Sequence, residues 1–419
     1  MNATPKTRSD IISLLSEACE LEHGLACSYL YAAFSIKQSA TEGNLTWEQV
    51  QYIRKWAGQI YFIASQEMFH LSQAWNLLTA IGGTPYYMRP NFPQGKKYYP
   101  LHLKLALEPF GKKAMRRFIF YELPSHIDDP EFLETKFGVT GDDIKKAHTV
   151  GELYDSILAG ILSIDERELF IGDPSLQVGP ETCHFNDIVK VTDRTSTAKA
   201  IQTITEQGEG TTKGKDVPAD QVDCHYGLFV NVDNDLCKII HDAEKAGKPF
   251  VPSRPCISNP VPAFDTGQAP ADAKRITNPF GNDVSALFDN VYSLMLRILQ
   301  YVFQSGPLPG QMERQLANTS IQMMARVLKP LGEALTLIPA GPEHPNQTCG
   351  PSFGLYRHVS FPKEVSQVII LVEEGLLQIS EKGKLLANHS NAPVQLSEGV
   401  QKLEDILQMF RQSILQSHA

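Results

Sequence analysis

Apolar residues recur along this chain at three- and four-residue intervals, the spacing that lines one face of an α-helix. The first such stretch, from about Ser9 to Ile36, places Ile11, Leu15, Ala18, Leu25, Tyr29 and Ala33 on its stripe. A second, from about Trp47 to Ile81, carries Val50, Ile53, Ala57, Ile60, Ala64, Ala74 and Leu78. Thr46 is positioned to cap its start and Gly82-Gly83 to stop it. Tyr86 to Tyr99 is punctuated by prolines and predicts a loop, and Pro100 to Ser125 reads as a shorter helix. A third long helix is predicted from near Thr149, with Leu153, Ile157 and Ile161 inward, and a fourth from near Thr195 to the break at Gly208-Glu209-Gly210. Phe170 to Asp193 is irregular, and a further helical pattern runs from about Asp223 to Ala246.

Proline is dense between Pro249 and Pro279, and beyond it four more amphipathic patterns follow: 283–304, 316–337, 365–386 and 396–415. Strand-like alternation is scarce, so the predicted class is all-α. The expected organisation is a four-helix bundle over residues 1–248, a proline-rich linker over 249–282, and a helical region over 283–419 packing on the bundle.

Composition narrows the function. Of the 419 residues, 42% are apolar, enough for a substantial core, and the net charge of −9 argues against the basic face that nucleic acid demands. No run of about 18 apolar residues is present, so no membrane span is predicted. The polar start, Met1 to Asp10, lacks the apolar segment of a secretory signal, which makes the cytoplasm the expected compartment. Seven scattered cysteines without a CxxC spacing predict neither a disulfide framework nor a thiolate zinc site.

The sharpest local motif is Glu67-Met68-Phe69-His70. Residues i and i+3 share a helix face, so this carboxylate and imidazole can serve one side of a metal pair, as in di-iron carboxylate bundles. Both fall on the apolar stripe, where an unpaired carboxylate is costly; an internal ion pair would satisfy the same constraint. Glu22 sits in the same way inside the stripe of the first helix, with His23 beside it as a surface histidine or a supporting partner. Glu152 opens the third helix, either as a ligand or as an acid complementing the helix dipole. Glu206 and Glu209 end the fourth helix, and His225 opens the next segment as the natural second imidazole, with Asp223 a further candidate or a helix cap. Tyr29, Tyr61 and Tyr154 read as core tyrosines or as hydrogen-bond donors to a metal site. Glu122, just before Pro124, is either an added acid or a helix-end residue.

Several of these segments together resemble the ferritin-like domain of the iminophenyl-pyruvate dimer synthase family, whose known members join oxidised tryptophan units in bisindole and indolocarbazole pathways. The likeness runs through Glu67-Met68-Phe69-His70-Leu71, Asn76-Leu77-Leu78 and Ala80-Ile81-Gly82-Gly83-Thr84-Pro85. It continues in Tyr121-Glu122-Leu123-Pro124, Gly151-Glu152-Leu153-Tyr154, Gln207-Gly208-Glu209-Gly210, His225-Tyr226 and Gly350-Pro351-Ser352-Phe353. The resemblance implies a ferritin-like four-helix bundle with additional C-terminal helices. It also implies a metal ligand set of Glu22, Glu67, His70, Glu152, Glu209 and His225, with Glu206 the alternate for Glu209. Those synthases carry a large haem-associated region for which this chain has no room, so no haem is expected. Their fourth helix also supplies carboxylate and histidine contiguously, whereas here a loop must bring His225 to its carboxylate.

The expected cofactors are two iron ions, with manganese the alternative. The expected activity is that of a di-iron oxidase or oxygenase using O2 or H2O2 on a small amino-acid-derived metabolite in natural-product biosynthesis. A non-catalytic iron-handling protein is the rival reading, and a metal-free helical interaction protein the third. A homodimer is kept open as the assembly. His344, Cys349 and Phe353 lie on a Pro- and Gly-rich loop, read as a surface connection or a cover for the pocket.

Overall fold

Each of the first two helices begins at a threonine that satisfies the free amides of the first turn. A computed structural model describes residues 5–43, 45–94, 105–124, 149–210, 223–263 and 272–417. In α1 (Arg8–Ser35) the Thr7 hydroxyl accepts from the Asp10 amide at 3.1 Å, and the Asp10 carboxylate accepts from the Thr7 amide at 3.0 Å. Thr46 and Gln49 repeat this reciprocal cap at α2 (Trp47–Ala80). The predicted stripes are buried, Ile11 to Ala33 on α1 and Val50, Ile53, Ile60, Ala64, Ala74 and Leu78 on α2, with Ala57 of the second half-buried. His23, however, is buried too, because the middle of α1 is covered on all sides.

The chain divides into two compact units. The first comprises residues 1–83, 94–172 and 191–254. In it α1 and α2 pair along their length, and α3 (Lys112–Tyr121), α4 (Val150–Ser163), α5 (Arg194–Glu209) and α6 (His225–Lys245) surround them. α4 packs on α1 and pairs with α5, α6 packs on α3, and both α5 and α6 touch α2. The helix expected from Pro100 to Ser125 is shorter. Positions 100–104 and 125 lie outside the described residues, and Leu105 to Phe110 is not helical. Pro109 drives the residue before it out of the helical region, and Gly111 (φ 159°) provides the turn into α3. α5 ends where Gly210 takes φ 92°, at the predicted break.

The C-terminus of α2 depends on a close backbone contact. The Gly172 amide donates to the Ala80 carbonyl at 3.0 Å, and a Cβ at position 172 would stand 1.7 Å from the Thr79 carbonyl oxygen. Within the proline-rich stretch, Phe250 and Ile257 are buried, and Arg254 forms a fork on Glu42 at 2.7 and 3.1 Å.

The second unit comprises residues 84–93, 173–190 and 255–419. Its α-helices longer than one turn are α7 (Pro279–Ser305), α8 (Met312–Gln322), α9 (Lys329–Leu335), α10 (Val365–Ala387) and α11 (Val394–Ser417). α8 and α9 are joined by a π-helical turn, Met323–Leu328. Pro330 lacks the N–H that would bond the Arg326 carbonyl, so the chain widens just before it. The strands among the described residues are the parallel pair Pro260–Val261 and Lys274–Arg275.

The loop expected at the surface behaves differently, because Cys349 and Phe353 are fully buried. The buried Asp289 carboxylate accepts from the Ser352 hydroxyl at 2.6 Å and the Gly354 amide at 2.9 Å, while Arg89 donates to the Phe353 carbonyl at 2.8 Å. These bonds hold Phe353 at φ 48°, a conformation that a non-glycine residue adopts only when its surroundings impose it.

Two glycines of the first unit should respond in opposite directions. Gly172→Ala drives a methyl into the α2 terminus and is expected to lower unfolding free energy by about 1–3 kcal/mol in urea titrations. Gly58→Ala, on an open face of α2, should instead gain up to about 1 kcal/mol of helix propensity.

Candidate metal centre

Glu22 comes from the middle of α1, and Glu67 and His70 lie one turn apart on α2. Their ligand atoms fall within 4.8 Å of one another, and a second group, Glu67, Glu122 and His225, meets the same condition. Glu122 is the residue that ends α3, its amide bonded to the Phe118 carbonyl at 3.1 Å, and His225 is the first residue of α6. All five are at most 5% exposed, so the charges face one another rather than solvent.

Glu67 belongs to both groups. Its Oε2 lies 3.3 Å from His70 Nδ1, and its Oε1 lies 2.9 Å from His225 Nδ1. Glu22 Oε2 approaches His70 Nδ1 at 3.5 Å, and Glu122 Oε2 approaches His225 Nδ1 at 3.5 Å. The two imidazoles are stacked with centroids 5.4 Å apart. Each outer carboxylate is steadied by a tyrosine: Tyr154 donates to Glu22 Oε1 at 2.7 Å, and Tyr29 donates to Glu122 Oε1. Burial and the facing carboxylates push both phenol pKa values well up, so the hydroxyls remain donors.

The electrostatics follow from dryness and proximity. Burial, aided by the Glu67 charge, lifts Glu22 to about 7. Burial and Glu122 push Glu67 upward as well, but His225 and His70 prevail and hold it below its usual value. Burial alone would lower His70 and His225; their carboxylate partners instead carry them to about 10 and about 9.

These contacts leave both Glu67 oxygens and His225 Nδ1 without an aligned hydrogen bond, although all three are buried. Orphaned polar atoms of this kind are rare in protein interiors. Carboxylate oxygens and imidazole nitrogens converging on a common space are the donor set of a metal pair, and cations there would satisfy them. The residues fit such a group.

The remaining sequence candidates are distributed around this centre. Glu209 lines the same cleft, together with Glu22, Glu67, His70, Glu122 and Tyr154. Its carboxylate accepts from the Gly151 amide at 2.9 Å, an approach open only to glycine, since a Cβ at 151 would stand 2.2 Å from Glu209 Oε1. Glu152 is brought to neither group; with Thr149 it forms the reciprocal cap of α4. Glu206 accepts from Gln202 at 2.6 Å, and Tyr61 packs on Phe34. Asp223 is exposed and does not cap α6, whose cap position is Cys224 without a side-chain bond. Glu122 is the residue that sequence reasoning undervalued. Its signal was the Tyr121-Glu122-Leu123-Pro124 segment, which periodicity could not orient.

Residues 15–234 match the ferritin-like family model. The chain is 26% identical over 394 residues to dichlorochromopyrrolate synthase of Lentzea aerocolonigenes, a match covering 86% of this chain and 37% of that protein. It is 27% identical over 371 residues to 2-imino-3-(indol-3-yl)propanoate dimerase of Chromobacterium violaceum, covering 83% of this chain and 34% of that one. The chain thus spans little more than a third of the length of these curated relatives. They bear out the resemblance carried by the motifs. Among solved structures, a ferritin-like protein from Caulobacter vibrioides shares 17% identity, covering 75% of this chain and 94% of its own, with a TM-score of 0.44.

The raised values have a thermodynamic consequence in chelator-treated protein. For a group whose folded pKa is raised, the linked stability is complete below its unfolded pKa and is lost as pH rises through the folded one. For the two histidines that loss runs from about 6.5 up through about 9 and 10, and for Glu22 from about 4.5 up through about 7. The melting temperature in EDTA should therefore fall steadily between pH 8 and pH 10.5 in wild type, and less in His70→Asn/His225→Asn. Equal slopes would mean that the carboxylates do not hold the imidazoles protonated.

Proposed function

The chain belongs to the ferritin-like family, and from that premise we propose that it is a di-metal oxidase or oxygenase acting on a small amino-acid-derived metabolite. The observation that carries this reading is Glu67, one dry carboxylate shared by two glutamate–histidine groups. In it Glu22, Glu67 and His70 hold one ion, and Glu67, Glu122 and His225 hold the other. Glu209, which lines the same cleft, is the fourth carboxylate of this reading. Four carboxylates against two divalent ions give a near-neutral centre, which a low-dielectric interior tolerates. Iron, with manganese the alternative, would supply the electrons for reducing O2 or H2O2, a reaction outside the reach of side chains alone.

The chain's own residues do the rest. Tyr154 and Tyr29 fix the rotamers of Glu22 and Glu122 through hydrogen bonds to the oxygens that do not face the histidines. Leu25, Val150 and Ile204 give the cleft an apolar wall that limits water beside the charged groups. Placement in natural-product biosynthesis is supported by the two curated relatives, and an imine derived from an aromatic amino acid as the substrate class by the name of the second.

Protein purified without added metal should carry close to two transition-metal ions per chain by elemental analysis. Glu67→Ala should lose both ions, whereas Glu122→Ala should lose one. Ferrous-loaded protein given O2 and a panel of aromatic amino-acid imines should yield an oxidised product by mass spectrometry. Slow mineral formation without product would favour iron handling, and a metal content near zero would sink both readings.

A further inference from the structure

The two histidines are gripped at their far ends in the same way. His70 Nε2 lies 3.0 Å from Gln207 Oε1, and His225 Nε2 lies 3.0 Å from Gln66 Oε1. In both rings Nδ1 faces the carboxylates and Nε2 faces an amide oxygen. The glutamines also cross between elements: Gln66 of α2 holds the histidine of α6, and Gln207 of α5 holds the histidine of α2.

We infer that Gln66 and Gln207 are a matched pair of positioning residues that keep the protons of His225 and His70 on Nε2 and present both Nδ1 lone pairs to the centre. An amide oxygen can only accept, so a neutral imidazole facing it must carry its proton on Nε2. The other nitrogen is then the ligand, which the ring orientation already directs inward. The choice of an amide rather than a carboxylate has its own reason. Glu22, Glu67, Glu122 and Glu209 already set four carboxyl groups around the cleft, so a neutral acceptor orients the rings without adding a fifth acid. Both glutamines are only part-buried, so neither is part of the packed core. Gln66 adjoins Glu67 in sequence, and Gln207 lies two residues before Glu209 at the end of α5, so each glutamine and a cleft carboxylate come from one backbone segment.

This inference rests on the di-metal reading, and its test separates the two. Cobalt(II) is titrated into the metal-stripped full-length protein, followed by visible absorption in competition with a chelator of known affinity. The parent should bind two ions. Gln207→Leu should weaken one of the two binding steps by roughly 10–100-fold, and Gln66→Leu should weaken one step as well, with both steps weakened in the double variant. Gln207→Glu and Gln66→Glu, which keep the acceptor, should bind cobalt at least as tightly as the parent. Loss of affinity in the Glu variants equal to that in the Leu variants would reduce the glutamines to packing and overturn the proposal. If the Leu variants do not fold by circular dichroism, the Glu variants decide: tight binding upholds the assignment and weak binding removes it. A parent that binds no cobalt would overturn the metal reading itself, whereas unchanged binding in the Leu variants would overturn only the role given to Gln66 and Gln207.

Discussion

A carboxylate 1% exposed to solvent, set between two imidazoles, is the constraint around which the first unit is arranged. An ion of that size taken out of water costs several kcal/mol even after relaxation. Glu67 is tolerated because opposite charge reaches it from both sides, and each of its neighbours is held in turn. Glu22 leans on Tyr154, Glu122 on Tyr29, His70 on Gln207 and His225 on Gln66. α1 to α6 all contribute a residue to this set, so the relative placement of six helices is tied to one charge balance.

The local rules of helix formation serve that arrangement. Glu122 can enter the interior because α3 ends at Tyr121, with Pro124 close behind, so that Glu122 leaves the helix at its terminus and faces His225. Gly210 stops α5 one residue after Glu209, so this carboxylate comes from a helix terminus instead of a helix face. Gly151, at the start of α4, lets it approach the backbone, where the partial positive charge of a helix N-terminus favours an anion. Helix ends, rather than uninterrupted helical faces, thus supply half of the carboxylates around the cleft.

The second unit depends on buried polar contacts of another kind. Asp289, raised to about 7 by burial, collects the Ser352 hydroxyl and the Gly354 amide, and Arg89 fastens the carbonyl between them. A Pro- and Gly-rich segment that composition alone assigns to the surface is thereby drawn into the interior. The bonds run between positions more than 60 residues apart in sequence, which is why no local pattern announces them.

The amino-acid pattern by itself determined the helices of the bundle and most of their ends, because periodic apolar residues, threonine caps and Gly stops act within a turn or two of chain. It also determined that Glu22, Glu67 and His70 point inward, since each falls on the apolar stripe of its helix. The roles of Glu122, Glu152 and Glu209 were decided only by tertiary structure. At a helix terminus the backbone leaves its periodic path, and a side chain there can cap, pair or turn inward with no change in local sequence. Glu152 caps its own helix, Glu122 reaches His225, and Glu209 binds a glycine amide, because packing between distant helices fixes which partner lies nearest. The sharing of Glu67 by two histidines 155 positions apart (70 and 225) is likewise a property of assembled helices, in which charge neutralisation acts through space rather than along the chain.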